Sequence, residues 1–151
     1  MLNISPSPND IARALDSWKW LNLSGLRPIY VSTFGDVFFQ GEAIVMLDTI
    51  SGGLSQVAAN LEEFRSRLRS EEGQEELLLS SLALAAQDRG LRLGPGQCFD
   101  FKVMPALGGE VTVEAIEVTS FVVKMGMAGQ IHQQIKNLPP GTPIGKITLS
   151  D

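Results

Sequence analysis

The sequence predicts an α+β protein in which helices pack on a largely antiparallel sheet. Three observations support this prediction: short apolar runs typical of strands, amphipathic segments with helix caps, and the chain order of helix, strands, helices and strands. The 151 residues, 44% hydrophobic and 19% charged, are typical of a single soluble domain spanning residues 1–151. A domain of this size can bury a sufficient core without disulfides or metals.

The N-terminal region predicts one helix. Pro8 suits the first helical turn, and Ile11, Leu15 and Trp18 recur at helical spacing on one face. We therefore expect a helix that begins at about Ser7 and ends at about residue 21.

The next region predicts strands. Residues 28–32 (PIYVS) are typical of a strand, and residues 34–48 predict a hairpin with a type II′ turn at Gly41-Glu42. Since side chains on both faces of this hairpin are apolar, we expect a sheet that is covered on both sides or central in the fold. Residues 49–59 (TISGGLSQVAA) are interpreted as a turn region.

Two helices are predicted in the middle of the chain. Asn60 and Glu63 have the spacing of a capping box at the start of the first one. Its apolar stripe consists of Leu61, Phe64 and Leu68. The second helix is expected from about residue 75 to residue 89, largely buried because it is apolar on nearly all sides, and Gly90 is placed to end it.

The last region predicts strands separated by loops. Residues 98–103 (CFDFKV) alternate as a strand does, between loops at residues 93–97 and 105–110. Residues 111–125 are strand-like, but the parity of their apolar positions changes twice. A one-residue slip moves every side chain of a strand to the opposite face, so this stretch requires a bulge or a break.

His132 is the only histidine and the first candidate for chemistry. If residues 127–135 are helical, His132 lies at the edge of an apolar stripe. A histidine at such a boundary commonly hydrogen-bonds a backbone carbonyl, and we expect this structural role. Contact with a partner and catalysis are the alternatives.

The sequence offers little for metal, cofactor or nucleophilic chemistry. One histidine and one cysteine without paired ligand spacing predict no metal site. Cys98 opens an apolar strand, so we expect a small buried side chain rather than a nucleophile. The glycine-rich segments contain neither a phosphate loop nor a dinucleotide fingerprint, so no cofactor is expected. Carboxylates are numerous, yet nothing in the sequence brings two of them to one cleft.

Charge and apolar patterning restrict the partners. A net charge of −5 argues against direct nucleic-acid binding and permits a basic protein partner. The alternative is that this charge only keeps the protein soluble. The N-terminal residues lack the pattern of a secretory signal, and the longest apolar run, residues 77–86, is about half a membrane span. The single cysteine fits a reducing compartment. We expect a cytoplasmic protein that does not bind membranes.

Three ordered blocks of sequence are similar to a known bacterial family. The first combines residues 26–39 (LRPIYVSTFGDVFF) with residues 47–54 (LDTISGGL). The second is residues 91–110 (LRLGPGQCFDFKVMPALGGE), and the third is residues 129–142 (GQIHQQIKNLPPGT). Over about residues 18–147 the chain resembles the type VI secretion immunity family. More narrowly, it resembles the C-terminal domain of the immunity protein to a secreted DNase toxin, formerly a domain of unknown function.

This resemblance implies a cytoplasmic, non-enzymatic protein that binds a cognate toxin and neutralises it by occlusion. A DNase toxin would have a basic DNA-facing surface, which agrees with the negative charge of this chain. A regulatory or scaffold module without a toxin, and a carboxylate-dependent enzyme, are the alternatives. Six polar residues of the family-like blocks are the candidate partner contacts and are expected to be exposed: Asp36, Asp48, Glu110, Gln130, His132 and Gln133.

Overall fold

The computed structural model describes residues 1–139 and 147–150. In this part of the chain a five-stranded antiparallel sheet, a separate two-stranded ribbon and five α-helices are present, so the predicted α+β class is confirmed. The end of the third sequence block, residues 140–142, lies outside the described residues.

The five-stranded sheet is a meander in which each strand pairs with its neighbours in sequence. All of its pairings are antiparallel. The strands are β1 (Asn3–Ile4), β2 (Arg27–Ser32), β3 (Val37–Gln40), β4 (Ile44–Asp48) and β5 (Gly53–Ala58). β3 is therefore the central strand.

The predicted coverage of both sheet faces is confirmed. Val37, Phe39 and Leu47 belong to one buried cluster, which includes side chains of the first and last helices. Phe38 and Ile44 point the other way and belong to a second cluster with the middle helices. Successive side chains of β3 enter opposite clusters, and both clusters are apolar. Consecutive residues of the strand, Val37 to Phe39, are therefore all apolar.

The hairpin between β3 and β4 is confirmed, but its predicted turn type is wrong. Gln40 pairs with Ile44, so three residues rather than two connect the strands. The backbone N–H of Gly41 donates to the carbonyl of Ala43 at 2.9 Å. Gly41 is not among the residues with positive φ, which a type II′ turn requires at this position.

The prediction that residues 49–59 form only a turn region is also wrong. A turn occupies residues 49–52, and β5 then pairs along β4 from Asp48↔Gly53 to Ile44↔Ala58. β5 is an edge strand with exposed Ser55 and Gln56, and it carries little of the apolar alternation that predicts a strand.

The first helix is shorter than predicted. α1 spans Pro8–Leu15, and the Ser7 hydroxyl accepts a hydrogen bond from the backbone N–H of Asp10 at 3.1 Å. A 3-10 turn, Asp16–Trp18, then continues the chain. It places the Trp18 indole in the first buried cluster, on the same side of the sheet as α1.

The N-cap at Asn60 is confirmed, but the Glu63 carboxylate accepts from the N–H of Ala59 rather than from that of Asn60. The single helix predicted after this one is two helices. The Asn60 side chain accepts from the N–H of Glu63 at 2.9 Å at the start of α2 (Leu61–Arg69). α3 (Glu71–Leu78) and α4 (Ser80–Asp88) follow. Leu79, with φ 51° and ψ 48°, separates them, and Gly90 ends α4 with φ 91°.

The last helix begins where a strand was predicted. The ribbon consists of β6 (Gln97–Phe101) and β7 (Ile116–Ser120), and α5 (Phe121–Ile135) follows directly. The predicted break is confirmed, but the strand prediction is wrong for residues 111–115, which include a 3-10 turn (Val113–Ala115), and for residues 121–125. The Ser120 hydroxyl accepts from the N–H of Val123 at 3.2 Å and so caps α5 at the point where the apolar phase changes.

Candidate functional site

The structure divides the six predicted contact residues into buried and accessible ones. Asp36 and His132 are 3% and 4% exposed, so their expected exposure is wrong. Asp48 and Gln130 are half-buried, whereas Glu110 and Gln133 are exposed. Asp36, Asp48 and His132 all hold or contact the turn at residues 49–52. Three of the six therefore converge on one structural feature.

Asp36 is the acceptor of a buried hydrogen-bond network. One carboxylate oxygen accepts from both the backbone N–H and the hydroxyl of Thr49, each at 2.8 Å. The other accepts from the hydroxyl of Ser32 at 3.3 Å. Burial raises the pKa of Asp36, while the charge of Lys124 and the hydrogen bonds from Thr49 oppose that shift. The network ties the β2–β3 turn to the turn after β4.

His132 connects α5 to the same turn. Its Nε2 lies 2.9 Å from the carbonyl oxygen of Thr49, and a carbonyl only accepts, so Nε2 carries the hydrogen. The ring centroid lies 5.6 Å from that of Trp18, and the other ring edge faces Gly52 (φ 80°). The predicted bond to a backbone carbonyl is confirmed. Its Nε2–H is bonded to Thr49 and its ring is covered by Trp18 and Gly52, so His132 positions the turn.

His132 gives a pH-dependent prediction. Burial lowers its pKa, with a partly opposing effect of the Thr49 carbonyl, so the folded chain favours the neutral ring. The unfolded chain, with a pKa of 6.5, then binds the proton more readily. The contribution to the free energy of unfolding is therefore complete above pH 6.5 and decreases as the pH falls towards the lower folded pKa.

We predict that denaturant unfolding will show lower stability at about pH 5.5 than at about pH 7.5. A His132→Gln variant, which contains no histidine, should lose less over the same interval. Asp36, whose pKa is raised, acts in the opposite direction in both proteins, so the difference between them isolates the histidine. An equal or larger loss in the variant would refute this assignment.

Lys124 is a buried cation next to this network. Its Nζ donates to the carbonyl oxygens of Phe34 and Phe99 and lies 3.4 Å from a carboxylate oxygen of Asp100. These three acceptors match the three hydrogens of the ammonium group. Nearby Cys98 is buried, as predicted, and burial raises the pKa of its thiol to about 12. Because both are buried, neither the Lys124 amine nor the Cys98 thiol is accessible as a nucleophile.

An apolar groove of about 370 Å³ lies between α5 and the β6–β7 ribbon. Residues 102–105, Leu107 and the turn after β4 complete its lining. Its walls carry four of the large apolar side chains that remain exposed: Val103, Leu107, Val123 and Met127. Exposed apolar surface concentrated in this way is typical of interaction sites.

Two carboxylates face each other along this groove. Asp100 and Glu117 are direct partners in the ribbon register, and both line the groove. Asp100 is partly neutralised by Lys124, whereas exposed Glu117 has no ion pair within residues 1–139 and 147–150. Lys102 also lines the groove, yet it forms no ion pair with either carboxylate in that part of the chain. Like charges opposite each other in a sheet are unfavourable, and in the described residues only Asp100 of this pair has a counter-charge.

Residues 147–150 lie along the outer face of α5. The Gln130 amide pairs with the backbone of Ser150, accepting from its N–H at 2.6 Å and donating to its carbonyl at 2.8 Å. Gln134, one turn later, forms the same two-point contact with Thr148. Gln130 is therefore half-buried and hydrogen-bonded within the chain, whereas Gln133 is exposed.

Sequence reasoning missed the residues of the groove. Asp100, Glu117, Val123 and Met127 come from three elements, and their proximity depends on the ribbon register and on α5 beginning at Phe121. One signal was present: Lys124 is a single cation within the apolar run FVVKMGM, which indicates a buried charge with specific partners. In the described residues, no three His, Cys, Asp or Glu side chains form a potential metal site.

The comparison with protein families covers the second sequence block, residues 91–110, and the first four residues of the third. Residues 58–132 match the model of the family described as T6SS immunity protein Tdi1, C-terminal. This match confirms the resemblance to the type VI secretion immunity family and extends from the end of β5 into α5. It includes all of the groove lining except Thr49 and Ile50. A comparison of the chain with curated proteins found no match. Across residues 1–139 and 147–150, no helix is both long and apolar enough to span a membrane.

Proposed function

We propose, on the basis of the match of residues 58–132 to the type VI secretion immunity family, that the chain binds a cognate antibacterial toxin and neutralises it by occlusion. It acts in the cytoplasm as a stoichiometric binding protein and does not catalyse a reaction. The toxin supplies the catalytic groups, and the chain covers the surface that the toxin uses on its target.

The observation that carries this proposal is the exposed apolar groove within the matched range. An inhibitor needs accessible apolar surface for affinity and charged groups for orientation and rapid association. Val103, Val123 and Met127 provide the accessible apolar surface, and Glu117 provides a charged group. The buried network around Asp36 and His132 supports this surface by joining α5 to the sheet.

A DNase is the class of toxin that the charge of the chain favours. A DNase requires a basic surface for the phosphate backbone, and a partner with net charge −5 is attracted to such a surface. Among the predicted contacts, Glu110 and Gln133 are accessible and Asp48 is half-buried, so these three stay in the proposal. Asp36 and His132 are assigned structural roles instead.

The first test is affinity capture of the tagged chain from its native cells, read by mass spectrometry. We expect a stoichiometric partner that arrests growth when it is expressed alone. For the narrower proposal, the purified partner should degrade plasmid DNA, and an equimolar amount of the chain should stop the degradation. A toxin that leaves DNA intact would overturn the DNase class only. Capture of housekeeping proteins alone, from cells shown to make a candidate toxin, would overturn the immunity function.

A further inference from the structure

The groove combines an apolar surface and an acidic one, and each favours a different kind of partner side chain. Its walls are the apolar side chains of Val103, Val123 and Met127, and the Asp100–Glu117 pair lines it from the ribbon. Apolar walls favour an aliphatic or aromatic side chain. Adjacent carboxylates favour a cation, and Glu117 has no ion-pair partner in the part of the chain that the structure describes.

The groove fits a protein segment better than an enclosed small molecule. Val123 and Met127 are 54% and 44% exposed, so the walls are accessible along their length. A small-molecule site normally surrounds most of its ligand. An open apolar channel with charge along one wall is instead typical of a contact that receives side chains from another protein.

A basic side chain beside an apolar one matches this arrangement. Arginine and lysine place their aliphatic stems along apolar surfaces and keep the charge at the end. Arginine presents a planar fork of donors that can serve two carboxylates at once. A cation placed between Asp100 and Glu117 would remove the repulsion that the ribbon register imposes on them.

We propose that this groove is the toxin-contact site, and that it receives an apolar side chain of the toxin next to an arginine or lysine whose cation lies between Asp100 and Glu117. This inference rests on the proposed immunity function. It adds the location and the chemistry of the contact, neither of which follows from the family match.

The test uses two groove variants with matched controls in the full chain. Glu117→Lys reverses the unpaired charge, and Met127→Glu places a charge in the apolar wall; both residues are exposed, so both variants should fold. Glu62→Lys on α2 and Leu84→Glu on α4 make the same chemical changes at exposed positions that do not line the groove. Binding is measured by calorimetry with the toxin captured by the wild-type chain.

We expect Glu117→Lys to raise the dissociation constant roughly 10-fold and Met127→Glu roughly 100-fold, with both controls within about 2-fold of wild type. The effect of Glu117→Lys should decrease at high salt, because the interaction is electrostatic. A toxin substitution of the contacting arginine or lysine by glutamate should restore binding to Glu117→Lys.

A photo-crosslinking residue at Val123, with Leu84 as its control position, gives a second measurement that retains both carboxylates. Crosslinking to the toxin from Val123 and not from Leu84 supports the proposal. Unchanged affinity in both groove variants, or crosslinking from Leu84 alone, overturns this contact site while the immunity function stands. If the wild-type chain captures no growth-arresting partner, the immunity function fails and this inference fails with it.

Discussion

Replacement of Asp36 by alanine is expected to lower the free energy of unfolding by about 4 kcal/mol. The substitution leaves the backbone N–H and hydroxyl of Thr49 and the hydroxyl of Ser32 without their acceptor. It also removes a carboxylate that interacts electrostatically with buried Lys124. A buried donor without a partner loses its hydration and gains nothing in return, so the loss exceeds that of a surface carboxylate.

Two variants serve as controls for this prediction in urea unfolding experiments. Asp36→Asn keeps one acceptor oxygen and should lose about half as much. Asp48→Ala removes a half-buried carboxylate that accepts from the N–H of Ile50 at 2.9 Å, and should lose about 1 kcal/mol. If Asp36→Ala were no less stable than Asp48→Ala, the buried network would not stabilise the fold as described.

Gly129→Ala is expected to destabilise the protein by about 2 kcal/mol, although alanine is normally the better helix former. A Cβ at this position would overlap the side chain of Ser17 and stand 2.7 Å from its backbone oxygen. The indole of Trp20 also donates to the carbonyl oxygen of Gly129 at 3.1 Å. The added methyl group would therefore force α5 away from the 3-10 turn that carries Trp18.

Gly126→Ala is the matched control, one turn earlier in the same helix. A Cβ there meets no atom within 4 Å, so only the helix-propensity gain applies. We expect this variant to be more stable than the wild type by about 0.5–1 kcal/mol. Thermal unfolding of the two variants should give shifts of opposite sign. Shifts of the same sign would show that close approach at Gly129 is not what makes glycine necessary.

Much of the fold was predictable wherever local chemistry and long-range packing agree. The cap at Asn60, the stop at Gly90 and the two apolar faces of β3 and β4 are encoded by nearby residues, and each was predicted correctly. The double phase change after Val111 correctly indicated a break, because no regular strand accommodates it.

The errors arose where tertiary contacts override local preference. Residues 121–125 (FVVKM) include two valines, which favour strands, yet the cap at Ser120 and the packing of Phe121 and Met125 in the core make them helical. The polar residues of β5 form a strand because β4 offers an edge to pair with. Leu79 breaks an apolar helix in a left-handed conformation that alanine- and leucine-rich sequence does not indicate.

The candidate site was less predictable than the fold for a related reason. Asp36 and His132 were expected at the surface because polar side chains usually are, but each has buried hydrogen-bond partners that are distant in sequence. The groove likewise requires the ribbon register and the position of α5 before Glu117 and Met127 come together. The structural role of His132 was the exception, since its position at the edge of an apolar stripe already favoured it.

The central claim is that the chain protects cells by binding a toxin, and growth of cells that express the captured toxin tests it most directly. Co-expression of the wild-type chain should restore growth, and the control variant Leu84→Glu should do the same. Growth arrest that persists although the chain is folded and present in excess over the toxin would contradict the account.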